Sequence, residues 1–132
     1  MRLNIIKKSP AEIEVMKEAG RLSAYVLRKV GEAAKPGVST LELDELAETL
    51  ILAEGGIPAF NGYGGFPGSI CASVHDQVVH GIPSSKAILR EGDILSIDTG
   101  ATVDGWVGDN AWTYPIGKVS SDVAMLLETT EK

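Results

Sequence analysis

Asp93-Ile94-Leu95-Ser96-Ile97-Asp98-Thr99-Gly100-Ala101-Thr102-Val103-Asp104-Gly105-Trp106-Val107-Gly108-Asp109-Asn110-Ala111 is the stretch on which the fold turns. Its apolar residues fall into two strand-like runs, Asp93 to Ala101 and Trp106 to Ile116, on either side of Asp104-Gly105. Asp-Gly is a preferred dipeptide for a type I′ hairpin turn, which needs positive φ at both central positions. With a two-residue turn, Val103 faces Trp106, Asp98 faces Ala111 and Asp109 faces Gly100. Cross-strand partners share a face and side chains alternate with period two. Asp98 and Asp109 therefore project from the same face as diagonal neighbours, roughly 7–8 Å apart at Cα. A three-residue loop would place them on opposite faces.

Working upstream, Ser69 to Val74 is a short apolar run that predicts a strand. Val78-Val79-His80-Gly81-Ile82-Pro83 predicts a second one, ended by Gly and Pro. Before them lies a glycine- and aromatic-rich loop from Pro58 to Gly68. The first third is helical in pattern. Ser9-Pro10-Ala11-Glu12 combines an N-cap serine, proline at the first helical position and glutamate where a capping box needs it. Ile13, Met16, Leu22, Val26, Leu27 and Val30 then recur at helical spacing up to Lys35-Pro36-Gly37. Ser39-Thr40-Leu41-Glu42 is a second capping box. It leads a stripe of Leu43, Leu46, Ala47, Leu50 and Ile51 that stops at Gly55-Gly56. A last helix starts at Ser121-Asp122 and runs through Ala124, Leu126 and Leu127, barely under way when the sequence stops at Lys132. The expected architecture is a single α+β domain over residues 1–132, with two N-terminal helices packed on an antiparallel sheet.

The composition narrows the function. A chain of 132 residues can bury one core but not two ordinary ones. Hydrophobic and charged fractions of 44% and 23% are those of a globular protein, which excludes disorder and fibre. A net charge of −6 argues against nucleic-acid backbone or an anionic membrane as the main partner. The lone Cys71 excludes an intrachain disulfide and a multi-cysteine zinc cage. The stretch Met1-Arg2-Leu3-Asn4-Ile5-Ile6-Lys7-Lys8 is charged and lacks an apolar signal core, and no apolar run is long enough to span a bilayer. The expectation is a cytoplasmic protein.

Several residues are candidates for chemistry. Two converging carboxylates repel, and one pKa rises unless a cation sits between them, so Asp98 and Asp109 form a candidate metal pair. From spacing alone the plainer account, a turn-bonded Asp98 and a solvated Asp109, stays slightly ahead. His80, between an apolar pair and Gly81, could donate to a substrate carbonyl or shuttle a proton; a backbone-satisfied histidine is the blander alternative. His75, next to Asp76, reads as part of a polar turn. Cys71 has no triad partner in sequence and reads as a small buried hydrophobe. The Tyr63/Phe66 loop could wall an apolar pocket or simply pack on its own glycines. Gly62-Tyr63-Gly64-Gly65 lacks the lysine and the strand–loop–helix setting of a phosphate loop.

Taken in order, these segments resemble the N-terminal half of a type I methionine aminopeptidase. The resemblance runs through Glu12-Ile13-Glu14-Val15-Met16, Ala19-Gly20, Pro36-Gly37-Val38-Ser39-Thr40, Glu42-Leu43-Asp44 and Pro58-Ala59-Phe60-Asn61-Gly62-Tyr63. It continues through Gly65-Phe66-Pro67, Ser69-Ile70-Cys71, Val78-Val79-His80-Gly81-Ile82-Pro83 and Glu91-Gly92-Asp93-Ile94. It ends with Ile97-Asp98-Thr99-Gly100-Ala101 and Gly108-Asp109-Asn110-Ala111. Each is weak alone; together, in register, they are specific. The resemblance implies the first half of the pita-bread fold and a site with two divalent metal ions, Co, Mn, Fe or Zn. It also implies removal of the initiator methionine from nascent polypeptides through a metal-activated water. By the same resemblance Asp98 and Asp109 are metal ligands and His80 is the catalytic, substrate-contacting histidine. Tyr63, Phe66 and Cys71 wall the methionine pocket. Implied partners are peptide N-termini beginning with Met, with the ribosome as a candidate.

The family's other ligands, one histidine and two glutamates, belong to its second half. The chain is thus expected to be a truncated domain, inactive by itself and prone to self-association through the face its mate would cover. Glu128 and Glu131 match none of those ligands. His75 stands where the family usually has Asn, and Gly64 replaces a bulkier residue. Two other readings stay open: a non-catalytic pita-bread binding module, and a proline-directed peptidase relative.

Overall fold

Two capping boxes start the fold. The Ser9 hydroxyl accepts from the Glu12 N–H at 3.3 Å while the Glu12 carboxylate accepts from the Ser9 N–H at 2.7 Å. Ser39 and Glu42 repeat the exchange at 3.2 and 2.8 Å. These pairs satisfy helix-end donors that would otherwise lack partners. They launch α1 (Pro10–Ala33) and α2 (Thr40–Ala53). The computed structural model describes residues 5–132. Met1, Arg2, Leu3 and Asn4, half of the charged N-terminal stretch, lie outside the described residues.

The remaining elements are β1 (Ile57–Pro58), β2 (Ile70–Val74), β3 (Ile94–Val103), β4 (Trp106–Pro115) and α3 (Ser121–Glu131). All strand pairs are antiparallel, and β3 is central. β4 takes one of its edges, and β2 and β1 share the other end to end. The hairpin has the register expected of a two-residue turn, with Val103 opposite Trp106. Asp104 and Gly105 have φ of 48° and 81°, the positive values of a type I′ turn.

The inner face of the sheet carries Leu95, Ile97, Thr99 and Ala101, all fully buried, and receives α1 and α2. Leu22, Val26 and Val30 of α1 and Leu43 and Ile51 of α2 join them with Ile70, Leu89 and Ile116 in one core. Each large aliphatic side chain buried there contributes about 1.5–3 kcal/mol relative to exposure. Ile13 and Met16, expected on the packed stripe, are 42% and 36% exposed, so α1 enters the core only from Ala19 onward.

Hydrogen bonds and a close backbone approach lock α1 to the hairpin. The Ser23 hydroxyl donates to the Thr99 carbonyl at 2.9 Å, and the Tyr114 hydroxyl donates to the Leu27 carbonyl at 3.1 Å. Gly108 lies against the backbone of Ala19 and Gly20, leaving no room for a side chain.

One expected strand does not form. Residues 78–83 run beside β2 but join it only through Gly81, whose carbonyl accepts from the Ala72 N–H at 2.9 Å. His75 and His80 both adopt left-handed φ, 54° and 58°, which breaks the extended conformation a ladder requires. Val78, Val79 and Ile82 are left exposed.

Gly108→Ala tests the helix–hairpin contact. The added methyl meets the Ala19 carbonyl, backbone against backbone, so we expect a loss of about 3 kcal/mol in urea unfolding. Gly105→Ala, in open space but at positive φ, should cost about 1 kcal/mol in the same experiment.

Candidate metal centre

Because Leu95, Ile97 and Ala101 point into the core, Ser96, Asp98 and Gly100 occupy the opposite face of β3. Strand pairing then sets Cys71, Asp98 and Ala111 in one row across the sheet and Ser73, Ser96 and Thr113 in the next. The hydroxyls of Ser96 and Thr113 meet at 2.8 Å, as same-face partners should. Asp109 lies opposite Gly100, and so diagonal to Asp98. Phe60 packs on Gly100 so closely that a Cβ there would fall 2.6 Å from its ring. The ring thus covers the outer face beside Asp109, a contact with no signal in the local pattern of the sequence.

The electrostatics of the pair are those of two carboxylates brought together without a basic partner. Asp98 Oδ1 is buried and has no hydrogen-bond partner. Among the described residues, no lysine or arginine pairs with Asp98 or Asp109. Burial, then the negative charge of Asp109 and a hydrogen bond shared with it, push the Asp98 carboxyl up to about 6, with His80 acting in the opposite direction. Two hard carboxylates, one with an orphaned oxygen, match the donor preferences of a divalent ion, whose charge would remove the repulsion. They do not complete a cage. Among the described residues, no group of three or more His, Cys, Asp and Glu side chains is placed to hold a metal.

His80 shares an open groove of about 680 Å³ with Asp98, Cys71 and Ser73. The far side of this groove is α3, which contributes Leu127, Glu128 and Glu131. Glu128 is already paired with Lys132 at 2.8 Å. Cys71 is 6% exposed, and its thiol is pushed up to about 11 by burial first and then by Asp98, Asp109 and Asp44. It is a buried wall rather than a nucleophile.

Tyr63 and Phe66 are not brought to this groove. Tyr63 is 82% exposed on a 3₁₀ turn, Tyr63–Gly65, and the loop closes on itself where the Gly62 N–H meets the Phe66 carbonyl at 2.8 Å. The structure thus assembles Asp98, Asp109, His80 and Cys71, and leaves the two aromatic residues on a neighbouring loop.

Two acids outside the sequence-based site hold its frame. Asp44, buried on α2, accepts from the Ser69 and Ile70 N–H groups at 2.7 and 2.9 Å and anchors the entry to β2. Burial pushes its carboxyl up, and the two N–H groups oppose the rise. Asp93, also buried, accepts from the Arg90 N–H at 2.8 Å at the start of β3.

A raised folded-state pKa means that the folded chain holds the Asp98 proton more tightly than the unfolded chain. Stability is therefore lost as pH rises from about 4 to about 6, and the penalty persists above that. We expect metal-free Asp98→Asn to melt about 3–5 °C above the wild type at pH 7.5, roughly 1 kcal/mol after solvent screening, and level with it near pH 3.5. Thermal melts at both pH values check this.

The family described as metallopeptidase family M24 matches residues 14–132. Methionine aminopeptidase 1 of Bacillus subtilis (strain 168) is 52% identical over 128 residues, covering 97% of this chain and 51% of that protein. The crystal structure of methionine aminopeptidase from Rickettsia prowazekii superposes with a TM-score of 0.92 at 38% identity, over 96% of this chain and 51% of that one. The Xaa-Pro dipeptidase of Bacillus anthracis, at 23% identity and a TM-score of 0.75 over 89% of this chain and 32% of that one, shares the fold alone. This chain spans about half the length of the curated relatives it matches. With α1 and α2 on an antiparallel sheet built around the β3–β4 hairpin, and a family match reaching from α1 to the last residue, the chain belongs to metallopeptidase family M24.

Proposed function

We propose that this protein acts in metal-dependent removal of the N-terminal methionine from newly made polypeptides, and that residues 1–132 form one domain carrying part of the site. The observation that carries this reading is the diagonal Asp98–Asp109 pair, with its orphaned oxygen, beside His80, in a chain half-identical to methionine aminopeptidases.

In this reading Asp98 and Asp109 hold two divalent ions. Such ions supply Lewis acidity to the peptide carbonyl and lower the pKa of water. The rest of the chemistry belongs to the chain. His80, exposed at the rim of the groove, donates a hydrogen bond to the substrate near the scissile amide. Cys71 forms the apolar floor against which an unbranched thioether side chain packs. A free α-amino group beside the carboxylates explains restriction to the first residue. Two carboxylates leave both ions short of donors, so further ligands complete the centre.

Calorimetric titration with Mn²⁺ and a cleavage assay with Met-Ala-Ser test this. The wild-type chain should bind Mn²⁺, and Asp98→Asn/Asp109→Asn should bind it at least about 100-fold more weakly, since both carboxylates are lost. The 132-residue chain should show no turnover by itself. Absence of Mn²⁺ binding in the wild type would overturn the metal reading, and turnover by this chain alone would overturn the need for further ligands.

The outer groove also leaves Val78, Val79, Trp112 and Leu126 between 46% and 87% exposed. Exposed apolar surface of this kind favours association. Light scattering after size exclusion should show a mass that rises with concentration.

A further inference from the structure

The segment that carries His80 is fastened only at its ends. Downstream, Gly81 is pressed against Ala72 with no room for a side chain, and its N–H donates to the Ser73 hydroxyl at 3.0 Å. Upstream, the His75 N–H donates to the Ile94 carbonyl at 3.0 Å, and His75 Nε2 lies 2.5 Å from Asp93 Oδ1. Between these points there is one small turn, in which the Gln77 N–H donates to the Val74 carbonyl and the Gln77 side chain accepts from the Val74 N–H. Among the described residues, nothing hydrogen-bonds to residues 78–80.

The two partners at the upstream end are unequal. His75 is largely exposed, whereas Asp93 is 7% exposed. Asp93 is also rigidly held. Its Oδ2 accepts from the Arg90 N–H at 2.8 Å, its N–H donates to the Arg90 carbonyl, and its carbonyl accepts from the Ile116 N–H at 2.8 Å. An ordinary surface ion pair contributes little because two mobile side chains must be ordered together. Here the acceptor is already fixed, so only the imidazole is immobilised, on a short bond to a carboxylate. The left-handed φ of 54° at His75 is a costly conformation for a residue with a Cβ, of the kind that surrounding contacts must maintain.

We propose that His75 is a positioning residue. By tying the start of the segment to Asp93, it holds His80 beside the Asp98–Asp109 face. This rests on the reading of His80 as the substrate-contacting residue.

The test compares the wild-type chain with His75→Gly and His75→Asn. Glycine adopts the left-handed φ freely, and asparagine tolerates it while ending one covalent bond short of the reach of Nε2. In metal-free chain, both variants should keep the wild-type far-UV spectrum and Gly81 amide protection. Gln77 amide exchange should rise about tenfold, and ¹⁵N relaxation should show larger fast motion across residues 76–80. With Mn²⁺ added, paramagnetic relaxation of the His80 ring should fall at least about twofold in both variants relative to wild type. Unchanged exchange, motion and His80 relaxation in a folded variant would overturn the proposal. If the wild type binds no Mn²⁺, the metal reading falls, and the exchange and motion measurements still decide whether His75 anchors the segment. If His75→Gly unfolds, His75→Asn carries the same comparison.

Discussion

The type I′ turn at Asp104-Gly105 is the constraint on which the rest of the molecule depends. A two-residue turn sets the register of β3 against β4, and in a hairpin the register sets which side chains share a face. A slip of one residue on one strand would send its apolar set to solvent and separate Asp98 from Asp109. Core and candidate site are thus opposite sides of a single decision. The same alternation that buries Leu95, Ile97 and Ala101 under the helices turns Asp98 outward.

The site is built at a cost that the fold absorbs. Two like charges are set diagonally across a hairpin, and one oxygen has no partner. Such an arrangement persists only where the framework is over-determined. Around this pair the framework is dense. α1 is fastened to the hairpin by Ser23 and Tyr114 and by the bare backbone of Gly108, and α2 is fastened to the start of β2 by Asp44. The helices are not ornaments on the sheet. They hold the hairpin rigid while its outer face carries the repulsion, which a divalent cation would remove.

The sheet and the His80 segment are held very differently. Asp98 and Asp109 stand on strands, where geometry is fixed by ladder hydrogen bonds. His80 stands on an exposed segment tethered at two points. Groups on ladder strands keep fixed positions, whereas a group on an exposed segment keeps access to the groove mouth. The open groove is walled on its far side by an α3 that buries none of its own residues.

Local chemistry determined much of this from the sequence alone. Serine–glutamate capping boxes placed α1 and α2 because a helix start needs its donors satisfied within four residues. Asp104-Gly105 placed the hairpin and its register because positive φ is a property of those residues themselves. The same-face geometry of Asp98 and Asp109 followed from register. What the sequence left undecided depended on contacts between distant segments. Val78 to Pro83 has the apolar pattern of a strand, yet two left-handed histidines and a glycine wedged on Ala72 keep it out of the ladder. Ile13 and Met16 fit a helical stripe, but nothing in the pattern says where along α1 the sheet begins. Phe60 over Gly100, Asp44 on the β2 entry and the His75–Asp93 tie join residues 18 to 40 positions apart. Such pairings are decided by how the helices and sheet pack in space, and only the tertiary structure contains that information.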